Sequence, residues 1–388
     1  MVLSARLALL SIGTLSWGCI VVLACSNDYE EVEVDKKTRP RILSGVQPSA
    51  PNPASLTKAQ VRSEGVMGLH VGNYIGAFRQ WVDMQHEFDA FHPVVDLHAI
   101  TLAYDHRELA DRTLGVAALL LAAGLDPNVC TVFVQSHVPE HTELAWLFNH
   151  LATVGELRRM TQFKAKAGAG GEGAVPAGYF NYPVLQAADI LIYQADRVPV
   201  GEDQRQHLEL TRDIAERFNA RFGRTFVVPE AYIPKVGGRV MDLQVPTAKM
   251  SKSSASPAGR IELLDPPEVI RRKVRSAVTD SGREVLARPD KPAISNLLEL
   301  FSAATGKAVE ELEQAYSGRG YGDFKSDLAD ALAAFLAPVR ERYQELRGDP
   351  ARLEAILEQG ATRAQAIARE NLALAKDRMG FLPRRVHG

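Results

Sequence analysis

The sequence predicts an α/β fold, a Rossmann-like parallel sheet with helices on both faces, followed by an all-helical C-terminal domain. Three observations predict it. Short apolar runs near 42–46, 91–98 and 129–135 alternate with stretches whose apolar residues recur every three or four positions. The runs are continuous rather than alternating in polarity, as expected of strands covered on both sides. From about Glu262 onward only the helical spacing remains.

The composition supports such a body. The chain has 388 residues, 46% hydrophobic and 24% charged, which is enough for one large domain and a smaller one. Its net charge is −2, so any contact with nucleic acid must come from local basic patches rather than from the overall field. Cys19, Cys25 and Cys130 form no Cys-x-x-Cys pair and no zinc spacing. No disulfide framework and no protein-bound metal are expected, and the body reads as intracellular.

Taken in order, residues 1–38 form an extension. Leu7 to Cys25 is almost uniformly apolar behind Arg6, and Asp28, Glu30, Glu31, Glu33 and Asp35 follow. A cleaved targeting leader is the favoured reading; a membrane anchor and an upstream segment from a misplaced start site remain open. The folded body begins at about Arg41, with Ile42 to Val46 as a first buried strand. Residues 50–67 carry Pro51, Pro53, Lys58, Arg62 and Glu64 and read as a solvated loop. A helix follows Leu69-His70-Val71-Gly72-Asn73, with Tyr74, Phe78, Trp81, Gln85 and Phe88 on one face. Phe91 to His98 reads as the next strand, with Pro93 placed at its beginning because proline cannot donate to a ladder. Arg107 to Gly124 is helical, Val129 to Gln135 a strand, and Thr142 to Lys166 helical.

Gly168-Ala169-Gly170-Gly171-Glu172-Gly173 fits Gly-x-Gly-x-x-Gly. It follows a lysine-bearing helix and not a strand, so a dinucleotide fingerprint is disfavoured and a loop expected. Tyr182 to Tyr193 is largely apolar but contains Asp189, a carboxylate that burial would force to find a partner. That partner is either a group of the chain, such as Arg197 or a helix end, or a donor on a ligand. Val198 to Gln204 reads as a strand, a glycine turn at Gly201 and an acidic helix start, ahead of Leu210, Ile214 and Phe218.

His70 and Asn73 stand where a strand-to-helix turn exposes orphan N–H groups that favour phosphate, and Gly72 permits close approach. The plainer alternative is a capping asparagine beside an incidental histidine. Lys249-Met250-Ser251-Lys252-Ser253 sets two lysines three apart between Pro246 and Pro257. Such a loop can offer two compact charges to one polyanion, or be no more than a solvated turn. In the C-terminal part, Leu328, Leu332, Phe335, Val339 and Tyr343 mark one stripe and Leu353, Ile356 and Leu357 another. Arg272, Lys273, Arg275, Arg363, Arg369, Lys376, Arg378, Arg384 and Arg385 form a scattered basic reserve.

The lysine pentapeptide resembles the signature loop of class I aminoacyl-tRNA synthetases. With Ala187 to Ile190 and Gly201-Glu202-Asp203-Gln204, the chain resembles the tryptophanyl branch of bacterial and organellar type, from Arg41 to about Met379. Ala277-Val278-Thr279-Asp280 and Ile294-Ser295-Asn296 add to the likeness. The resemblance implies ligation of L-tryptophan to tRNA(Trp) through an adenylate formed from ATP with Mg2+, by a homodimer with no DNA partner. It implies catalytic roles for His70, Asn73, Lys249 and Lys252. It places ATP against Gln47, Gly72, Asn73, Lys164, Gly201, Asp203, Lys249, Met250, Ser251 and Lys252. It places tryptophan against Leu43, His98, Tyr182, Gln186, Asp189, Val200 and Gln204, with Asp189 accepting the indole N–H. Residues 39–258 would be the catalytic domain and 259–388 a helical anticodon-binding domain. A bacterial-type body behind a leader points to a mitochondrial or plastid matrix, with the cytoplasm as alternative, and to a membrane only if 7–25 persists as an anchor.

The sequence departs from the family pattern at 50–67, between Gln47 and His70, which should line one pocket. An outward-bulging loop would leave the site intact, since long surface insertions cost little loop entropy. A retained intron is a second explanation. A tyrosyl ligase of the same class, or a silent RNA-binding paralogue disabled by the insert, are the alternatives.

Overall fold

The structure, a computed structural model, describes residues 39–48, 69–201, 204–233, 240–251 and 256–383. The leader and acidic linker of 1–38, the insert of 50–67, Glu202, Asp203, Lys252, Ser253, Arg384 and Arg385 lie outside the described residues. Residues 37–388 make one compact unit.

Five parallel strands form one sheet: β1 (Arg41–Leu43), β2 (Asp89–Val94), β3 (Thr131–Val134), β4 (Arg197–Pro199) and β5 (Glu230–Tyr232), in the order β3-β2-β1-β4-β5. Register alternation divides their side chains between two cores. Ile42, Ala90, Val94, Val132 and Val134 face one core, and Leu43, Phe91, Phe133 and Val198 face the other. Both faces are therefore covered, as the unbroken apolar runs predicted. After β3 the chain crosses to the far side of β1, so a crevice opens at the carboxyl ends of the strands where the order reverses.

The second strand corrects the placement of Pro93. It begins at Asp89, and Pro93 is its penultimate residue, opposite Phe133. The Pro93 carbonyl still accepts from Val46 N–H at 3.0 Å, and Ser44 N–H donates to Phe91 at 3.0 Å. The donor that proline lacks would have met the Ser44 carbonyl, just past the end of β1. His92 Nδ1 lies 3.3 Å from that oxygen instead, which assigns the ring the tautomer protonated there. A proline is tolerated because its neighbour's ring covers the gap.

Helices fill the connections. α1 (Val71–Asn73) runs through a π-helical turn (Tyr74–Phe78) into α2 (Arg79–Glu87). α3 (Asp96–Ala99) carries His98, so that residue lies on a short helix beyond β2 rather than at a strand end. α4 (Leu109–Ala122) closes at Gly124, where φ is +117°. The stretch predicted as one helix over 142–166 is three: α5 (Glu140–Phe148), α6 (Val154–Arg159) and α7 (Thr161–Gly170). Thr153 starts α6 with a capping box, its hydroxyl and Glu156 satisfying each other's orphan N–H groups. α7 continues through Gly168 to Gly170 and stops at Gly171, φ +81°, so much of the glycine-rich stretch read as a loop is helix. It follows no strand, in keeping with the rejected dinucleotide fingerprint. α8 (Ala177–Leu191) holds Asp189, and α9 (Arg205–Phe222) buries Leu210, Ile214 and Phe218.

The C-terminal part is helical: α10 (Pro267–Ser276), α11 (Pro292–Thr305), α12 (Val309–Ala315), α13 (Tyr321–Gly348) and α14 (Pro350–Arg378). α14 lies directly on β3. A Cβ on Gly360 would come within 2.0 Å of the Val132 carbonyl, so only glycine fits there. The basic reserve is partly spent inward. Arg363 donates to Thr131 Oγ1 at 3.1 Å, Arg369 to Glu140 at 3.0 Å and Lys376 to Glu143 at 2.6 Å. Lys273 is buried against Asp265 at 2.6 Å. Arg363 and Arg369 stay exposed while tying α14 to β3 and α5, Lys376 is half-buried, and of these four only Lys273 is buried, because α10 packs into the body. Among the described residues no helix is long and apolar enough to cross a membrane.

Candidate active site

The crevice at the carboxyl ends of β1 and β4 is a cavity of about 680 Å³. The end of β1 and the segment after it supply Leu43, Ser44 and Gln47, α3 supplies His98, and α8 supplies Tyr182, Gln186 and Asp189. Val200 and Gln204 come from the turn after β4, and Asn73, Phe78 and Trp81 close the opposite wall. Nine residues predicted from sequence thus share one cavity: Leu43, Gln47, Asn73, His98, Tyr182, Gln186, Asp189, Val200 and Gln204. His70, Gly72, Lys164, Gly201, Lys249, Met250 and Ser251 lie outside its lining.

Asp189 is 3% exposed and the most heavily braced group. His98 Nε2 meets its Oδ2 at 2.8 Å, His141 Nδ1 donates to Oδ1, and Gln135 Nε2 lies 2.9 Å from both oxygens. His141 Nε2 in turn meets the Tyr193 hydroxyl at 2.6 Å. Burial alone would push the Asp189 carboxyl up. The charge and hydrogen bonds of His141 and His98 overcome that and hold it below the usual carboxylate range. The same burial, with Asp189 nearby, drives the Tyr193 phenol well up.

The sequence left two partners open, a group of the chain or a ligand donor. The chain supplies the partners, and neither Arg197 nor a helix end is among them. Arg197 is instead placed over the Tyr232 ring, 6.0 Å from its centre. Gln135, His141 and Tyr193 were not picked out from the sequence. Gln135 directly follows β3, and a polar residue at the carboxyl end of a parallel strand was the available signal.

Around that anchor the walls are tied to one another. Gln47 Nε2 donates to the His98 carbonyl at 3.2 Å, and Gln186 Nε2 to Gln204 Oε1 at 3.4 Å. The Tyr182 hydroxyl donates to Gln162 Oε1 at 2.7 Å and meets His207 Nε2 at 2.6 Å, and burial raises its pKa.

The second cluster lies on the other face of the sheet. Asn73 Oδ1 accepts the His70 N–H at 3.0 Å, so the asparagine caps its own helix, as the plainer sequence reading had it, while also lining the cavity. His70 is 4% exposed, and its ring rests against Gly72. A two-stranded arm carries Lys249. Asp242 N–H donates to Ala248 at 2.9 Å and Met250 N–H to Val240 at 3.1 Å, pairing Met241 with Lys249. Lys249 is exposed, as is Lys164. Met250, predicted to meet ATP, is 2% exposed, and its side chain packs into the core because the arm needs an apolar root. Among the described residues no group of three or more His, Cys, Asp or Glu could hold a metal ion.

A buried carboxylate facing a cavity can read a hydrogen-bond donor on an otherwise apolar ligand. An exposed ammonium on an arm suits a polyphosphate. Residues 66–337 match the family model for tRNA synthetases class I (W and Y). A tryptophan–tRNA ligase 2 of Streptomyces avermitilis is 53% identical over 346 residues, covering 89% of this chain and 98% of that protein. The tryptophan–tRNA ligase of Mycobacterium leprae is 51% identical over 350 residues, with 89% and 97% covered. Among solved structures, tryptophanyl-tRNA synthetase of Campylobacter jejuni, complexed with ADP and tryptophan, superposes with a TM-score of 0.75 at 33% identity, covering 88% of this chain and all of that one.

Proposed function

The chain belongs to the class I tRNA synthetases of the tryptophan and tyrosine family, and from that premise we propose that it ligates L-tryptophan to tRNA(Trp). The observation that carries the choice of amino acid is Asp189, a buried anionic acceptor at the wall of the cavity. The tryptophan carboxylate attacks the α-phosphorus of Mg-ATP, the bond to the β-phosphate oxygen breaks, and pyrophosphate leaves. A hydroxyl of the tRNA's terminal adenosine then takes the tryptophanyl group, releasing AMP. Gln186 and Gln204 hold the amino acid's polar end, Gln47 lies on the ATP side, and Asp189 faces the indole. His70 and Asn73 serve the α-phosphate, and Lys249 follows the departing phosphates. The chain positions and stabilises charge and forms no covalent intermediate. Magnesium arrives with the nucleotide.

Amino-acid-dependent ATP–pyrophosphate exchange tests this. Exchange with tryptophan and not tyrosine is expected. Exchange with tyrosine alone would overturn the substrate, and tRNA binding without exchange would indicate a silent paralogue.

Three further points of the same reading need their own tests. Residues 259–388 bind the anticodon arm, which footprinting of tRNA would show as protection there and not on the acceptor stem alone. The chain pairs with a second copy through the face bearing Trp146, 76% exposed, and Val154, 58% exposed. A Trp146→Glu protein should sediment as a monomer; a monomeric parent would refute the pairing. Residues 1–38 direct the body to a mitochondrial or plastid matrix, and a fluorescent fusion that stays cytoplasmic would exclude that destination.

A further inference from the structure

The arm that carries Lys249 is held by a residue from the helical part of the chain. In the pairing of Met241 with Lys249, the arm's own hydrogen bonds run through Asp242 and Ala248 and through Met250 and Val240. Met241 is therefore a non-bonded position of that pair, and its N–H and C=O point away from the hairpin, toward its outer edge. Both are taken by one side chain. Met241 N–H donates to Asn296 Oδ1 at 2.8 Å, and Asn296 Nδ2 donates to the Met241 carbonyl at 3.0 Å. The amide of Asn296 thus stands in for a third strand.

Asn296 has little freedom to do otherwise. It sits on α11, is 4% exposed, and is flanked by Ile294, Leu297 and Leu298, all at 1% or less. The root of the arm is tied to the same region. Leu243 N–H donates to Gly259 at 2.8 Å, Val278 N–H to the Leu243 carbonyl at 2.9 Å, and Gln244 Nε2 to the Ser276 carbonyl at 3.0 Å. Those bonds fix the base of the arm; among the described residues it is the Asn296 pair that grips the residue directly across from Lys249.

We propose that Asn296 is a positioning residue: its amide completes the outer edge of the Lys249 arm and so fixes where that ammonium meets the phosphates of ATP. This rests on the phosphate role of Lys249 given above. Removing the amide leaves two main-chain groups without their partner and frees the arm to turn about its root. The displacement needed is small, since a shift of about 1 Å at a catalytic charge costs on the order of a hundredfold in rate.

Exchange kinetics on Asn296→Ala, Lys249→Ala and the double variant give the test. Asn296→Ala should lower kcat/KM for ATP by roughly tenfold or more while leaving the KM for tryptophan within about twofold. In the Lys249→Ala background the same change should cost almost nothing further, because its target is gone. Equal losses toward ATP and tryptophan, or losses that multiply in the double variant, would overturn the proposal while leaving the site reading intact. Lys249→Ala with undiminished exchange would remove the phosphate role itself and this inference with it. Should Asn296→Ala fold poorly, Asn296→Asp keeps the acceptor for Met241 N–H and loses only the donor, and the same comparisons apply. Hydrogen exchange reads the clamp without catalysis: the Met241 amide should be protected in the parent and fast in Asn296→Ala, and slow exchange in both would refute the bond's role.

Discussion

The Asp189 pocket and the Lys249 arm are built on opposite principles. On one face of the sheet, Asp189 is locked by His98, His141 and Gln135, with Tyr193 behind. On the other, the cationic group stands exposed on an arm tethered by main-chain bonds, by Gln244 at its base and by the Asn296 amide. The first suits selection of a neutral, flat side chain, where a small displacement of the acceptor would abolish discrimination. The second suits a reaction in which a charge must be presented to the departing pyrophosphate. The substrate is read by a buried charge braced by side chains, and the leaving group is met by an exposed charge on a tethered arm.

Removing the anchor should give the largest effect. Asp189→Ala strands the buried His141, the half-buried His98 and an amide, and should lower kcat/KM for tryptophan by roughly a thousandfold, the scale of breaking a buried charged network. Exchange assays with saturating ATP check it, and a loss confined to the ATP side would erase the contrast between the two.

Acid should strike the two faces unequally. Burial brings the His92 pKa from 6.5 down to about 4, whereas Asp189 stays ionised well below the usual carboxylate range. The unfolded chain binds the His92 proton first, so this contribution to stability is complete above about pH 6.5 and is lost as pH falls toward 4. At about 1.4 kcal/mol per pKa unit the full loss is on the order of 3 kcal/mol. Urea midpoints measured across that window test it, and a midpoint that does not fall would contradict the neutral, buried histidine.

Lys249→Ala should slow adenylate formation by roughly ten- to a hundredfold with tryptophan affinity unchanged, the effect of one charge-assisted contact in a transition state. Single-turnover kinetics separate the two quantities. The smallest change concerns Gly72, where a Cβ would stand 3.0 Å from His70 Nδ1. Gly72→Ala should displace the imidazole and reduce the ATP-dependent step by about threefold to tenfold, the cost of a crowded side chain of about 1 kcal/mol. No change in KM for ATP or in kcat would mean the ring has room to move.

Much of this was legible because the sheet's physics writes itself into the sequence. Unbroken apolar runs announced strands covered on both sides, the spacing over 107–124 gave α4 to within two residues at each end, and the apolar stripes at 210–218, 328–343 and 353–357 fell on α9, α13 and α14. The edge strand β5 went unseen: Glu230, Ala231 and Tyr232 are three residues, largely exposed, with no apolar run to mark them. The breaks between α5, α6 and α7 were hidden because a capping box such as Thr153 with Glu156 is a local signal inside an otherwise continuous pattern.

In the site, the motifs located nine cavity residues. His141 and Tyr193 were not legible, since a buried hydrogen-bond chain across α5 and α8 has no sequence period. Lys273 shows the reverse error: a lysine in a basic helix reads as surface until a carboxylate eight positions earlier folds beneath it.

The contact between His92 and Ser44 carries a consequence for divergence. Because the imidazole occupies the position that a proline at 93 cannot fill, neither residue is independent of the other. A lineage that exchanged His92 for an aliphatic side chain would bury a bare carbonyl, and could recover most readily by replacing Pro93 with a residue that has an amide hydrogen. Substitutions at these adjacent sites should accordingly arrive as couples, and reconstructed ancestors carrying only one of the two changes should be the least thermostable of the series.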